Sequence, residues 1–369
     1  MKILHTADWQ IGMRVRQAGS RASDVRSQRI ASAVALADVA RAHGVDAVFV
    51  AGDVFEDNAV DRADVQRVID ACVSFGVPTY VLPGNHDPLT TGSVWEHPSW
   101  EAAPNVHVLR SASPIEMRPG VTLYPCPALT AHSSVDPTRW IGDKSAEGTR
   151  IGIAHGTVVD MGLSVDEDCF PIRYDAASRL GLDYIALGHW HSTAPYEGDI
   201  AGARMAYSGT HEPTRFNERD SGNVLVVEVP GRNAVPKLTR VATGALRWVS
   251  LVREIANKID VDRLIADLGQ IPEPSKTLLE LRLSGVLVPE QMPTLEQLSN
   301  IVKARFPLMA RIDQSQLVAA PGDHTWAETL PAGLLRDVAA AISRDADEAG
   351  AQALQLLYRF GIEKGQGTV

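Results

Sequence analysis

Val48-Phe49-Val50-Ala51-Gly52-Asp53 and Tyr80-Val81-Leu82-Pro83-Gly84-Asn85-His86-Asp87 share one layout: β-type apolar residues, then a glycine, then side chains that carry oxygen or imidazole. Three further stretches are built alike. Ile3-Leu4 leads to Asp8-Trp9-Gln10, Ile151-Gly152-Ile153 to His155-Gly156, and Tyr184-Ile185-Ala186-Leu187 to Gly188-His189-Trp190-His191. A strand that ends in a polar, glycine-marked loop aims its functional groups out of one edge of a sheet, and several such loops side by side build a site at the carboxyl ends of the strands. Helices lie between the first strands. Val65, Val68, Ile69 and Cys72 recur at i, i+3, i+4 and i+7 before Gly76, and Ile30, Val34 and Ala37 share a face of a helix that ends near His43-Gly44. The order strand, helix, strand, helix, strand predicts a parallel sheet and an α/β fold class. Further on, strands are expected closer together, at 106–109, 121–125, 151–154, 184–187, 204–207 and 224–229, with little helix between them.

The side chains at the strand ends name a chemistry. Carboxylates and an amide carbonyl are hard oxygen donors and imidazoles are borderline, a mixture that suits Mn, Fe, Zn or Mg and lacks the thiolates of a structural zinc site. An aspartate such as Asp53 can bridge two ions, and two ions roughly 3.5–4 Å apart can activate a water and stabilise the charge of an in-line displacement at phosphorus. A single loop histidine is usually a surface or satisfied core residue. Five such motifs in order, each behind a strand, are not explained that way. His5 lies within the first strand run and reads as a structural histidine.

At these residues the chain resembles the calcineurin-like metallophosphoesterase superfamily, and within it the DNA-repair nuclease branch of SbcD and Mre-type subunits. The opening Ile3-Leu4-His5-Thr6-Ala7-Asp8-Trp9 with Ile11-Gly12, the stretch Val50-Ala51-Gly52-Asp53-Val54-Phe55, and later Tyr207-Ser208-Gly209-Thr210, Arg215-Phe216-Asn217-Glu218 and Gly222-Asn223-Val224-Leu225-Val226 carry that branch's style over about residues 1–230. The resemblance implies a two-sheet sandwich flanked by helices. It implies one metal held by Asp8, Asp53 and His191 with position 10 contributing, and a second held by Asp53, Asn85, His155 and His189. His86 would then stabilise developing charge and protonate the leaving oxygen, and Asp87 would orient His86 through a hydrogen bond. Manganese is the expected ion, with Mg, Fe and Zn as alternatives. The family usually has histidine where this chain has Gln10. Gln10 is then a weak ligand, or holds a metal-bound water, or leaves the first site partly empty.

Composition bounds the rest. The 369 residues allow a domain of about 240 plus smaller units, and the 45% hydrophobic content supplies a sizeable core. Cys72, Cys126 and Cys169 are scattered without metal-site spacing, so buried thiols in a reducing cytoplasm are expected. The first strand follows the amino terminus directly, and no apolar run approaches membrane-spanning length. A cytoplasmic protein with no membrane partner is the expectation.

A net charge of −10 argues against autonomous tight binding of nucleic acid. Between Met13 and Arg29, however, five arginines (Arg14, Arg16, Arg21, Arg26, Arg29) face one acid, Asp24, a local net charge of +4. Arg14, Arg16 and Arg21 are candidates to contact a DNA backbone; a solvated loop and helix start is the other reading. Residues 157–174 form a longer loop whose Asp160, Asp166, Glu167 and Asp168 would not help a phosphate backbone approach.

The expected domains are 1–240, carrying the site; 245–320, a small α/β unit with a strand at 278–283, a helix bearing Leu295, Leu298 and Val302, and a strand at 310–312; and 325–369, a helical tail. The resemblance implies that the second caps the site and positions DNA. In the tail, Leu335, Val338 and Ile342 form one apolar face and Leu354, Leu357 and Tyr358 another. They either pack on the chain itself or, by analogy, dock on an SMC-like (SbcC-type) ATPase. A homodimer is also implied as possible by the resemblance.

Three functions are weighed. The first is a two-metal phosphodiesterase that cuts DNA, as exonuclease or endonuclease, within an ATPase-driven repair complex. The second is a phosphoesterase for a small substrate such as a nucleotide. The third is a metal-binding scaffold subunit with catalysis weakened by Gln10; every other ligand position and His86 are intact, which weighs against it.

Overall fold

The computed structural model describes residues 1–142, 147–159, 170–195, 202–287, 292–319, 325–330, 332–343 and 348–365. The chain divides into two compact units: Met1–Arg16 with Ala22–Arg247, and Gln17–Arg21 with Trp248–Val369.

The first unit runs β1 (Lys2–Thr6), α1 (Ala22–His43), β2 (Ala47–Ala51), α2 (Arg62–Ser74), β3 (Thr79–Leu82), β4 (Val106–Val108), β5 (Ile115–Arg118), β6 (Val121–Cys126), β7 (Thr149–His155), β8 (Val158–Val159), β9 (Ile172–Arg173), α3 (Ala176–Leu180), β10 (Tyr184–Gly188), β11 (Met205–Tyr207), β12 (Asn223–Glu228) and β13 (Lys237–Ala242). One sheet has the order β13-β12-β1-β2-β3-β4 and the other β11-β10-β7-β6-β5. β1 to β4 run parallel, as do β11, β10, β7 and β6.

Alternation along each strand explains the layers. Ile3, Phe49 and Tyr80 point into the core between the sheets, where they meet Leu123, Ile151, Ile153 and Tyr184. Leu4, Val48, Val50 and Val81 point the other way, under α1 and α2, onto Leu36, Val65, Val68 and Ile69. Tyr124, Ala154, Ile185 and Leu187 form the outer face of the second sheet, under α3. Central strands buried on both faces read as unbroken apolar runs, and the runs noted in the sequence are these strands. The result is the expected α/β two-sheet sandwich with outer helices.

One helix face differs from expectation. In α1 the buried stripe is Val25, Arg29, Ser32, Ala33, Leu36, Ala37 and Ala40, while Val34 is 44% exposed. An arginine in the stripe was not anticipated, and it is accommodated because main-chain carbonyls and a threonine accept its N–H groups.

The second unit holds β14 (Arg247–Ile255), α4 (Lys258–Gly269), β15 (Thr277–Leu287), α5 (Met292–Arg305) and β16 (Met309–Ala319), with sheet order β14-β15-β16. α4 starts at a capping box in which Asn257 and Asp260 satisfy each other's main-chain N–H. Leu264 and Leu268 of α4 pack with Leu279, Leu281, Leu298, Val302 and Phe306. α6 (Leu334–Ile342) and α7 (Glu348–Gly365) follow. Ala339, Ile342, Leu354 and Leu357 pack together, whereas Leu335 and Val338 are exposed. Arg359 of α7 pairs with Glu254 of β14 at 2.6 Å. Among the described residues, no helix is long and apolar enough to cross a membrane.

Candidate metal centre

The five loops at the carboxyl ends of β1, β2, β3, β7 and β10 lie in the first unit, and main-chain hydrogen bonds join the β1 loop to the β2 loop and the β7 loop to the β10 loop. Asp8 N donates to Gly52 O, Gln10 N to Asp53 O and Ile11 N to Val54 O, at 2.9–3.0 Å, and Gly156 N donates to Gly188 O at 3.1 Å. Bonds that cross from one sheet to the other include His155 Nδ1 to Ala51 O at 2.9 Å and His189 N to Asp8 Oδ1 at 3.0 Å. Asp8, Gln10, Asp53 and His189 all have positive φ (54°, 49°, 51° and 109°), a conformation that L side chains rarely adopt and that clusters at functional sites. Close approach explains two of the motif glycines. A Cβ on Gly52 would sit 2.2 Å from His155 Nδ1, and one on Gly84 would sit 2.2 Å from Asp53 Oδ1.

Asp53, His155 and His189 offer donor atoms that all lie within 4.8 Å of one another. His155 Nε2 lies 3.3 Å from Asp53 Oδ1 and 2.9 Å from Asn85 Oδ1, and His189 Nδ1 lies 3.0 Å from the same Asn85 oxygen. The His155 Nδ1–H is committed to the Ala51 carbonyl, so a neutral His155 turns a lone pair towards two oxygens that themselves only accept. Acceptors converging in this way fit a cation, and the hard-oxygen and imidazole donor set fits a divalent one. The pKa directions show the same demand for positive charge, which a protonated His155 ring meets where no cation is bound. Burial would raise Asp53, but His155 outweighs it and holds the carboxyl well below its usual range; burial would lower His155, but Asp53 holds it above. Asp8 is pushed up to about 6 by burial, against the charges of His155 and His191. His189 is pushed down to about 3 by burial and by His155.

The other expected residues fall into place unevenly. Gln10 is buried and its Nε2 donates to Asp53 Oδ2 at 3.2 Å, so the amide nitrogen rather than the carbonyl faces the carboxylate. His191 gives Nδ1 to Thr214 Oγ1 at 2.9 Å and Glu218 Oε1 at 3.0 Å. The side chain of His86 is 43% exposed, with Nδ1 2.9 Å from Glu56 O and Nε2 3.9 Å from Asp53 Oδ2. Asp87 does not orient His86 as expected. Its buried carboxylate accepts from Phe55 N at 2.9 Å and Gly84 N at 2.6 Å, because these main-chain donors are buried with it. Burial and Asp53 push Asp87 up to about 7. His5 is structural, held between the Tyr184 hydroxyl and the Leu187 carbonyl.

Arg14, Arg16 and Arg21 are exposed. Arg14 and Arg16 belong to the first unit and Arg21 to the second. Arg29, counted in the basic stretch, is instead 2% exposed and donates to the carbonyls of Trp9, Asp8, Glu212 and Pro213 and to Thr210 Oγ1. Asp160, Asp166, Glu167, Asp168 and Cys169 lie outside the described residues. Cys72 and Cys126 are buried free thiols.

The sequence pattern of the calcineurin-like phosphoesterases matches residues 1–193. The chain belongs to that family. The chain is 28% identical over 216 residues to YhaO, an uncharacterized metallophosphoesterase of Bacillus subtilis (55% of this chain, 50% of the relative). It is 27% identical over 262 residues to the SbcD component of the nuclease SbcCD of Escherichia coli (59% and 62%) and 26% identical over 299 residues to the DNA double-strand break repair protein Mre11 of Aeropyrum pernix (73% and 65%). The chain thus spans between half and two thirds of the length of these relatives. The matched residues include Asp53, His155 and His189, whose donor atoms could hold a metal ion.

Proposed function

We propose that the chain is a two-metal phosphodiesterase that cuts DNA, acting as the nuclease subunit beside an SMC-like ATPase. The observation that carries the chemistry is the convergence of Asp53, Asn85, His155 and His189 acceptors on one point, with His86 beside them. These four would hold one ion, and Asp8, Asp53 and His191 the other, with Gln10 steadying Asp53. Manganese suits this set, with Mg, Fe or Zn as alternatives. Bound there, two divalent ions would supply activation of a water and charge stabilisation at phosphorus.

The chain's own residues do the rest. Asp87 ties Gly84 to Phe55 and so fixes the loop that carries Asn85 and His86. The Glu56 carbonyl accepts the His86 Nδ1–H, which turns Nε2 towards the Asp53 side, where the doubly protonated ring gives its Nε2 proton to the leaving oxygen. DNA as substrate is supported by the relatives named as nuclease and break-repair proteins and by the exposed Arg14, Arg16 and Arg21. Arg21 also lines a 330 Å³ cleft of the second unit with Lys303, a pair suited to phosphate contact. A chain of net charge −10 would draw much of its DNA affinity from a partner. We assign capping of the substrate to residues 245–320 and partner docking to the helices of 325–369, in the cytoplasm.

The test is incubation with Mn or Mg and linear or circular DNA of both strandednesses, and with a small aryl phosphodiester, beside His86→Ala. DNA cleavage lost in the variant is expected. Cleavage of the small ester alone, even with the ATPase partner added, would replace DNA by a small phosphoester as substrate.

A further inference from the structure

We infer that Glu218 is the positioning residue that sets the tautomer of His191, and so decides whether the ion on the His191 side of the centre binds. The inference rests on the metal-centre reading above and adds a residue to it.

The geometry is specific. Glu218 is an acceptor-only side chain that is 3% exposed, and both its oxygens are engaged. Oε2 accepts from Thr214 N at 2.9 Å. Oε1 accepts from the Thr214 hydroxyl, pairs with Arg215 Nε at 3.5 Å and lies 3.0 Å from His191 Nδ1. The hydroxyl has given its proton to Glu218, so its oxygen, 2.9 Å from Nδ1, can only accept there as well. Two acceptors on one ring nitrogen require that Nδ1 carry a hydrogen. A neutral His191 then has its lone pair on Nε2, the nitrogen left for a cation. A histidine that binds a metal through one nitrogen commonly donates the other N–H to a carboxylate, and removing that carboxylate typically costs 10–100-fold in affinity. Thr210 N donates to the His191 carbonyl at 3.0 Å and Thr210 bridges to Ala7, the neighbour of Asp8, which places His191 on the Asp8 side of the centre.

Glu218→Gln makes a sharp test. Thr214 N needs an acceptor where Oε2 now stands. The glutamine carbonyl takes that place, and its NH₂ then faces His191 Nδ1 as a donor. Nδ1 then loses its charged acceptor and keeps only the Thr214 hydroxyl, so the Nδ1–H tautomer, and with it the Nε2 lone pair, is weakened. A merely structural Glu218 would have no such effect on the tautomer.

Two readouts are taken on the full chain. The first is manganese binding, followed by the EPR signal of free Mn²⁺, in the wild type and Glu218→Gln. The expected result is two ions in the wild type, with one weakened about 10–100-fold in the variant and the other unchanged. The second uses the metal-free wild type labelled with ¹⁵N-histidine, so it stands even if the variant fails to fold. Long-range ¹⁵N–¹H spectra should show His191 protonated at Nδ1. Equal isotherms for the two proteins, or a neutral His191 protonated at Nε2, would overturn the role of Glu218 and leave the two-ion reading intact. A wild type that binds no manganese would overturn both.

Discussion

His86 Nδ1 lies 2.9 Å from the Glu56 carbonyl, and its Nε2 lies 3.9 Å from Asp53 Oδ2. The ring is thereby aimed by the main chain of the loop after β2, while 43% of its side-chain surface stays open. His86→Ala should therefore fold normally and bind metal as the wild type does, yet lose roughly 10²–10⁴-fold in kcat. Parallel metal titration and steady-state kinetics check this. A matching loss of metal affinity would make His86 a ligand instead.

Gln10 donates its amide to Asp53 Oδ2. Gln10→His would put an imidazole where the amide stands, a stronger donor for Mn or Zn than an amide oxygen. One manganese ion should bind more tightly and half-maximal activity should need less metal. Equal occupancy and equal metal dependence in the two forms would show that position 10 does not limit the site.

Gly84 has no room for a side chain, since its Cβ would lie 2.2 Å from Asp53 Oδ1 and 2.3 Å from Asp53 N. The main chain cannot yield as a flexible side chain would. Gly84→Ala should cost about 1–3 kcal/mol in stability, as overpacking does, and should weaken metal binding because Asp53 is displaced. Denaturant unfolding and metal titration measure the two effects; a variant unchanged in both would disprove the close approach.

His5 supplies a pH dependence. Burial pushes it down to about 3 in the folded chain from an ordinary 6.5. Between those values the unfolded chain takes up a proton that the folded chain does not, so stability is full above about 6.5 and falls with pH towards 3. His5→Gln removes the titration. In chelator, the wild type should lose more melting temperature than the variant between pH 7.5 and 5. Parallel profiles would mean that His5 takes up its proton without unfolding.

The strand ends and their glycines were legible because each motif is local: the apolar run, the turn and the functional side chain are neighbours in sequence. The stripe Val65, Val68, Ile69 and Cys72 was legible for the same reason. What escaped depends on residues far apart in the chain. Arg29 looked like one more surface cation, and only the carbonyls of Glu212 and Pro213, more than 180 residues away, make it a buried clamp. Val34 fitted a periodic face that Arg29 and Ser32 in fact share. Asp87 was paired with its sequence neighbour His86, yet Phe55 N, 32 residues back, takes its carboxylate. Glu218 follows Arg215-Phe216-Asn217 in sequence, and nothing in that spacing points it at His191, 27 residues earlier.

The most direct test of the account is an anomalous-difference map from crystals of the manganese-loaded chain. Two peaks roughly 3.5–4 Å apart are predicted, one against Asn85, His155 and His189, the other against Asp8 and His191, with Asp53 touching both. A single peak, or peaks away from Asp53, would contradict the two-ion centre.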